Sequence, residues 1–322
     1  MSVPRHNPRS KKIASADFKR EIKTTVDADR AGGRLDRLVQ ELVGGSRSQI
    51  VGMLEQSCIE RNGTVVGEGW LRLRAGDRVR IQYDSRQRYT PRPRPRSHHG
   101  FTVLFEDRDC IVVDKAPELL TIPTRRDERN TLVHEVSRYL KRSHQGREAF
   151  VVHRLDRGVS GVLVLGKAES IADALRDQFA GRKPDRRYIA IVAGHLKSAH
   201  GTFRSYLATD EDLNRFSTDD EEIGQLAVTH YRVLESLPDA TLIEARLETG
   251  RRNQIRVHFA EAGHPVLGDP RYGGDAARHP RWRYGRIALH AKSLTFQHPL
   301  TNKKIRIESH YPSEMVRFLT EV

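Results

Sequence analysis

Cysteine is scarce. Cys58 and Cys110 are the only two in 322 residues, and they stand in neither a CxxC nor a Cys/His zinc spacing. A disulfide framework and a zinc module are both excluded, and a reducing compartment fits. Long apolar runs are missing too. The longest, such as Ile111 to Val113 and Gly161 to Gly166, fall far below the roughly 18 residues of a spanning helix, so no membrane partner is expected. The N-terminal stretch Met1 to Lys23 lacks the apolar core of a secretory signal and carries seven Lys/Arg against two acids. It reads as a basic cytoplasmic tail. No repeat of 20 to 50 residues is present, which excludes a solenoid or propeller. Neither a Gly-x4-Gly-Lys-Ser/Thr loop nor a GxGxxG fingerprint occurs, so no nucleotide cofactor is implied. The histidines His98, His99, His134, His144, His264 and His290 are scattered without an HExxH pattern, and no metal is expected.

What the chain has in excess is positive charge. The formal net charge is +14 with histidines neutral, and the isoelectric point is near 10.0. A polyanion is the natural partner. Many of the excess positives are arginines, whose planar fork suits phosphate contact and base stacking, which points to nucleic acid. With 37% hydrophobic and 30% charged residues, the length supports one large domain and a smaller one, each with its own core.

The clearest boundary is Arg86 to His99, where RQRYTPRPRPRSHH holds five arginines, three prolines and no acid. Alternating Arg-Pro favours extended chain, so residues 86–100 are expected to be a semi-rigid linker, with or without phosphate contacts. The expected organisation is a disordered basic tail over 1–17, a small domain over 18–85, this linker, and a large domain over 101–322. In the small domain Leu35, Leu38, Val39 and Leu42 fall at helical spacing. Ser46 and Gln49 form a capping box ahead of Ile50, Val51 and Leu54. Asn62-Gly63 signals a hairpin, and Val79, Ile81 and Tyr83 alternate as a strand. Arg34, Arg37, Arg47 and Arg61 occupy polar positions, either as a basic face for RNA or as a solvated helix surface. In the large domain, strands are expected at Val103–Phe105, Cys110–Asp114, Val151–His153, Gly161–Leu165, Tyr188–Val192, Thr229–Leu234 and Ala240–Leu247. Helices are expected at Thr131–Lys141, Ser170–Ala180, Asn253–Ala262 and Ser313–Glu321. Their irregular order predicts an α+β domain on a mixed or antiparallel sheet. The acidic stretch Asp210 to Glu222 is expected to be a mobile surface loop.

The densest chemistry is in FVVHRLDRGVSGVLVLGKA, Phe150 to Ala168, which sets His153, Arg154, Asp156 and Arg157 between two apolar strands. Charges at such a junction are costly unless paired or used. Asp156 between two arginines reads either as a structural ion pair or as a carboxylate kept ionised for use.

The His153-Arg154-Leu155-Asp156 segment, with Ser160-Gly161 and Gly166-Lys167-Ala168, resembles the signature of the RluA-type pseudouridine synthases, which isomerise uridine in structured RNA. Arg187-Tyr188-Ile189-Ala190 with Val192-Ala193-Gly194 resembles their second motif. Leu247 to Arg251 and Gln254 to His258 resemble their third. Gly263-His264-Pro265, Gly268-Asp269-Pro270, Tyr272-Gly273, Leu289-His290-Ala291 and His298-Pro299 extend the likeness over about 200 residues. The stretch from Gly33 through the Ala75-Gly76-Asp77-Arg78-Val79 strand resembles the S-four-like RNA-binding domain. The resemblance implies Asp156 as catalytic carboxylate, attacking either the sugar or the uracil ring. It implies that Tyr188 stacks on the flipped uracil and aids removal of its ring proton, and that Arg256 pairs with Asp156. It also implies that Leu289 walls the pocket and that Arg154 fills the space left by the extruded nucleotide. His153, Arg251 and Gln254 complete the expected substrate site, His153 as a loop-orienting residue, and no cofactor is implied.

Three departures stand out. Val159 replaces the family's usual Thr, Arg252-Asn253 replaces its Thr-His pair, and Leu119 to Arg126 lacks its His-Pro continuation. None of them touches Asp156, Tyr188 or Arg256, so they are expected to bear on the RNA target. The expectation is a monomeric, metal-free cytoplasmic enzyme acting on ribosomal RNA of the large subunit. Transfer RNA, or a non-catalytic assembly role, is the alternative. A nuclease would need metal or histidine clusters that the sequence lacks.

Overall fold

In the computed structural model, the described residues are 19–91, 97–124, 128–143 and 146–321. The basic tail expected over 1–17 lies outside them, as do 92–96 of the expected linker. The chain divides into two compact units, Met1–Arg94 and Pro95–Val322.

The first unit builds strand β1 (Lys19–Thr25), helices α1 (Leu35–Val43) and α2 (Arg47–Glu55), and strands β2 (Ile59–Arg61), β3 (Thr64–Val65) and β4 (Arg78–Asp84). The strands form one sheet in the order β1-β4-β2-β3. Ser46 and Gln49 make the reciprocal capping box that starts α2, and Asn62 at φ 52 with Gly63 at φ 80 closes the β2–β3 hairpin. Leu35, Val39, Ile50, Met53, Ile59 and Ile81 make a core to which Tyr89 also belongs. Strand β1 carries only one large apolar residue, Ile22, and so has no strand signature of its own; its partner β4 places it.

The second unit contains β5 (Ser97–His98), β6 (Phe101–Glu106), β7 (Cys110–Lys115), α3 (Leu132–Arg142), β8 (Phe150–Val151), β9 (Ser160–Gly166), α4 (Glu169–Ala180), β10 (Asp185–Ala193), β11 (His200–Thr209), β12 (Arg215–Thr218), β13 (Gln225–Ser236), β14 (Ala240–Leu247), α5 (Gln254–Glu261), β15 (Leu289–Gln297), β16 (Lys304–Glu308) and α6 (Ser313–Thr320). Its strands form one mixed sheet in the order β12-β11-β13-β14-β10-β15-β9-β7-β6-β5, with β8 and β16 pairing β9 and β15. This is the α+β architecture that the sequence implies. Among the described strands the parallel pair is β9 beside β15, joined at Ser160–His290 and Gly161–Ala291. Gly161 is required there. Its φ is 121, and a Cβ would overlap the backbone of Ala291.

One expectation is corrected. The acidic stretch 210–222 is a hairpin, in which Arg215–Thr218 pair with Tyr206–Thr209. The Asp210 carboxylate accepts the Asn214 backbone N–H at 2.6 Å and Leu213 adopts φ 62, closing a tight turn. Charge density favours solvation, but it does not prevent pairing where each carboxylate can face water.

Candidate active site

Asp156 lies in the loop between β8 and β9, and bonds on both sides hold that loop. The Leu155 N–H donates to Thr121 Oγ1 at 3.1 Å, and that hydroxyl donates back to the Leu155 carbonyl at 2.8 Å. The Gly158 N–H donates to the Pro117 carbonyl at 2.7 Å. The backbone that carries Asp156 is thus fixed independently of the ion pair its side chain makes.

The carboxylate faces a cleft lined by Arg154, Val159, Tyr188, Leu289, Arg251 and Arg256, among others. Tyr188 comes from β10, where the register against β15 shifts between Arg187 and Tyr188. Leu289 opens β15, and Arg256 comes from α5. Four chain segments far apart in sequence thus converge on one hollow at the centre of the sheet. Asp156, Tyr188, Arg256, Leu289, Arg154, Arg251 and Gln254 all line this cleft. His153 is set apart: its ring stacks on Phe179 with centroids 4.5 Å apart, and its Nε2 accepts the Val164 N–H at 3.2 Å.

Arg256 is the electrostatic hub. Its Nη1 donates to Asp156 Oδ2 at 3.2 Å, while Nε and Nη2 grip Asp269 at 2.6 and 2.7 Å. The Asp269 side chain is wholly buried and also accepts the N–H groups of Arg271 and Tyr272. Burial opposes the charge on Arg256, but Asp269 and then Asp156 raise its pKa above the usual arginine range. The guanidinium also lies over the Tyr272 ring, 5.0 Å from its centroid. Sequence reasoning paired Arg256 with Asp156 alone. Asp269 is its stronger partner, and only the Gly268-Asp269-Pro270 likeness hinted at it.

Burial, reinforced by the Asp156 charge against the opposing charge of Arg186, pushes the Tyr188 phenol up, so it is a neutral hydroxyl at pH 7. Burial likewise brings the Lys115 ammonium down to about 7, with the charge of Asp156 opposing the shift. Its Nζ donates to the Ala116 and Leu119 carbonyls at 2.8 and 2.7 Å, bracing the segment that holds the Asp156 loop. Gln254 uses its whole amide internally: Oε1 accepts from Thr249 and the Arg251 N–H, and Nε2 donates to Val228 and Thr229. It shapes the cleft floor and has no free group for a ligand.

Contrary to expectation, the departure at Asn253 does touch Asp156. Its Nδ2 donates to Asp156 Oδ2 at 2.5 Å, a contact across 97 residues that no local pattern reveals.

In the first unit, Arg34, Arg37 and Arg47 share a hollow with Asp36, Gln40, Ile50 and Val51. Arg34 is held there by Asp36 at 2.6 Å. Arg61 is elsewhere, paired with the buried Asp77 at 2.7 Å.

Residues 109–261 match the family described as RNA pseudouridylate synthase. A ribosomal large subunit pseudouridine synthase D of Zymomonas mobilis is 32% identical, over 90% of this chain and 94% of its own. The chain belongs to the RluA-type RNA pseudouridine synthases. A relative of the same description in Vibrio cholerae is also 32% identical, over 92% of this chain and 93% of its own. Human RNA pseudouridylate synthase domain containing 4 shares the fold, with a TM-score of 0.56 over 67% of this chain and 91% of that one, at 23% identity. The synthase acts on RNA, and no described helix is long and apolar enough to cross a membrane.

His153 and His258 are expected to make the synthase acid-sensitive. Burial lowers His153 to about 3 and His258 to about 4, both from 6.5. The unfolded chain therefore binds more protons below pH 6.5, and stability falls as pH drops from 6.5 toward those values. His153→Gln keeps an acceptor for Val164 and removes one titration. Urea midpoints measured between pH 7 and 4 are expected to fall less steeply for this variant than for the wild type.

Proposed function

We propose that the synthase isomerises specific uridines of large-subunit ribosomal RNA, with Asp156 as the attacking carboxylate. The observation that carries the chemistry is a half-buried carboxylate at a cleft walled by Tyr188 and Leu289 and held by a guanidinium that a second, buried carboxylate orients. A nucleophile so fixed loses little entropy on reaching its target. Asp156 adds to the sugar's anomeric carbon or to the uracil ring and is later expelled. Across the reaction the C1′–N1 bond breaks, a C1′–C5 bond forms, the C5 proton leaves and N1 gains one. Atoms balance without an oxidant or a cosubstrate. Tyr188, a neutral phenol, supplies a stacking face and a hydroxyl that relays a proton. Arg154, exposed and without a hydrogen bond to any described residue, suits the gap left by the extruded nucleotide.

Relatives in Zymomonas mobilis, Escherichia coli and Vibrio cholerae are named for the large ribosomal subunit, which supports that RNA over transfer RNA. Such a substrate puts the enzyme's work in the cytoplasm. We assign the first unit an S-four-like RNA-holding role, through the hollow of Arg34, Arg37 and Arg47. Pseudouridine mapping at single-nucleotide resolution, on ribosomal and transfer RNA incubated with the purified enzyme, tests the target. New pseudouridine is expected in large-subunit ribosomal RNA; its appearance only in transfer RNA would overturn the assignment.

A further inference from the structure

The third motif carries an amide beside the attacking group, and its surroundings show what the amide is for. Asn253 is the N-cap residue of α5, a position where asparagine ordinarily accepts a backbone N–H from the first helical turn. Here it makes no side-chain cap bond, and its backbone is in the left-handed region at φ 59 and ψ 15. The helix goes uncapped by this side chain because the amide is turned onto Asp156, where Nδ2 donates to Oδ2.

The orientation of the amide is fixed by a chain of bonds. The Arg215 backbone N–H on β12 donates to the Tyr272 phenolic oxygen at 3.0 Å. That leaves the Tyr272 hydroxyl proton for Asn253 Oδ1, 3.2 Å away. With Oδ1 accepting from Tyr272, Nδ2 must face the carboxylate. Both donors that reach Asp156, Asn253 Nδ2 and Arg256 Nη1, fall on the same oxygen, Oδ2. Oδ1 accepts no hydrogen bond from any described residue.

We infer that Asn253, locked by the Tyr272 hydroxyl, is a positioning residue that anchors Asp156 through Oδ2 and leaves Oδ1 as the atom that attacks the nucleotide. The inference rests on Asp156 being the nucleophile. An uncharged amide does this work at any pH at which the enzyme folds, and the charge of Arg256 stays shared with Asp269. Because Tyr272 is bonded to β12, the hairpin that carries β11 and β12 is the outer support of the attacking carboxylate.

The test is single-turnover kinetics on large-subunit ribosomal RNA at saturating enzyme, with RNA affinity and thermal melting measured for each variant. Asn253→Gly tolerates the backbone conformation and removes the amide. Its rate is expected to fall about ten- to hundredfold, with affinity within about threefold of wild type and melting little changed. Asn253→Asp keeps the shape but sets a carboxylate against a carboxylate, and should be slower still. Tyr272→Phe keeps the ring over Arg256 and should slow the wild type severalfold, yet cost little more in the Asn253→Gly background, since both act through one amide. A wild-type rate in Asn253→Gly overturns the inference. So does a loss confined to affinity, an Asn253→Asp variant faster than Asn253→Gly, or fully additive effects of the pair. Asp156→Asn is run in parallel: turnover there would reject Asp156 as nucleophile, whereas an inactive Asp156→Asn beside a fast Asn253→Gly rejects the positioning role alone.

Discussion

Asp156→Asn is expected to lower the single-turnover rate by at least about 10³-fold, as loss of a covalent catalyst does, while RNA affinity stays within a few-fold. The separation follows from the site. The amide is nearly isosteric, its oxygen still accepts from Asn253 and Arg256, and Arg256 keeps its two bonds to Asp269. The loop itself is held by the Thr121 and Pro117 bonds, which the substitution leaves intact. With RNA binding assigned to arginines away from Asp156, only the chemistry is expected to be lost. Equal losses in rate and affinity would mean that Asp156 serves to hold RNA.

Arg256→Met is expected to cost the fold most among the cleft residues. It leaves the Asp269 carboxylate, fully buried, with only the two N–H groups of Arg271 and Tyr272. Removing one partner of a buried pair costs about 3–5 kcal/mol, chiefly through the stranded charge. For a domain of this size that is a fall in melting temperature on the order of 10 °C. Adding Asp269→Asn removes the stranded charge, so the double variant should melt above Arg256→Met. Turnover should stay low in both, because Asp156 has lost its guanidinium. A single variant that melts with the wild type, or a double variant less stable than the single, would contradict the assignment of Arg256 and Asp269 as a coupled buried pair.

Legibility from sequence followed the range of the interactions involved. The capping box at Ser46 and Gln49, the Asn62-Gly63 turn and the apolar runs of β7 and β9 are local, and they fold as read. Strand β1 and the β11–β12 hairpin were illegible because their charges point to solvent and their partners alone specify them. Strand β15 shows in the sequence only as the motif around Leu289, without a strand signature. Its residues are buried on both faces, so no alternation marks it. In the cleft, Asp156, Tyr188, Arg256 and Leu289 were legible because each sits in its own motif. The Asn253 and Asp269 contacts were not, since they depend on a left-handed residue and on a buried charge whose partners are set by tertiary packing.

The exchange of C1′–N1 for C1′–C5 makes one consequence unavoidable: the hydrogen on C5 must leave. Large-subunit ribosomal RNA carrying tritium at uracil C5 is therefore the most direct probe. The wild-type enzyme is expected to release tritium to water in step with the pseudouridine it forms, and Asp156→Asn to release none. Failure of the wild type to release tritium from any RNA, or release by Asp156→Asn at the wild-type rate, would contradict the account.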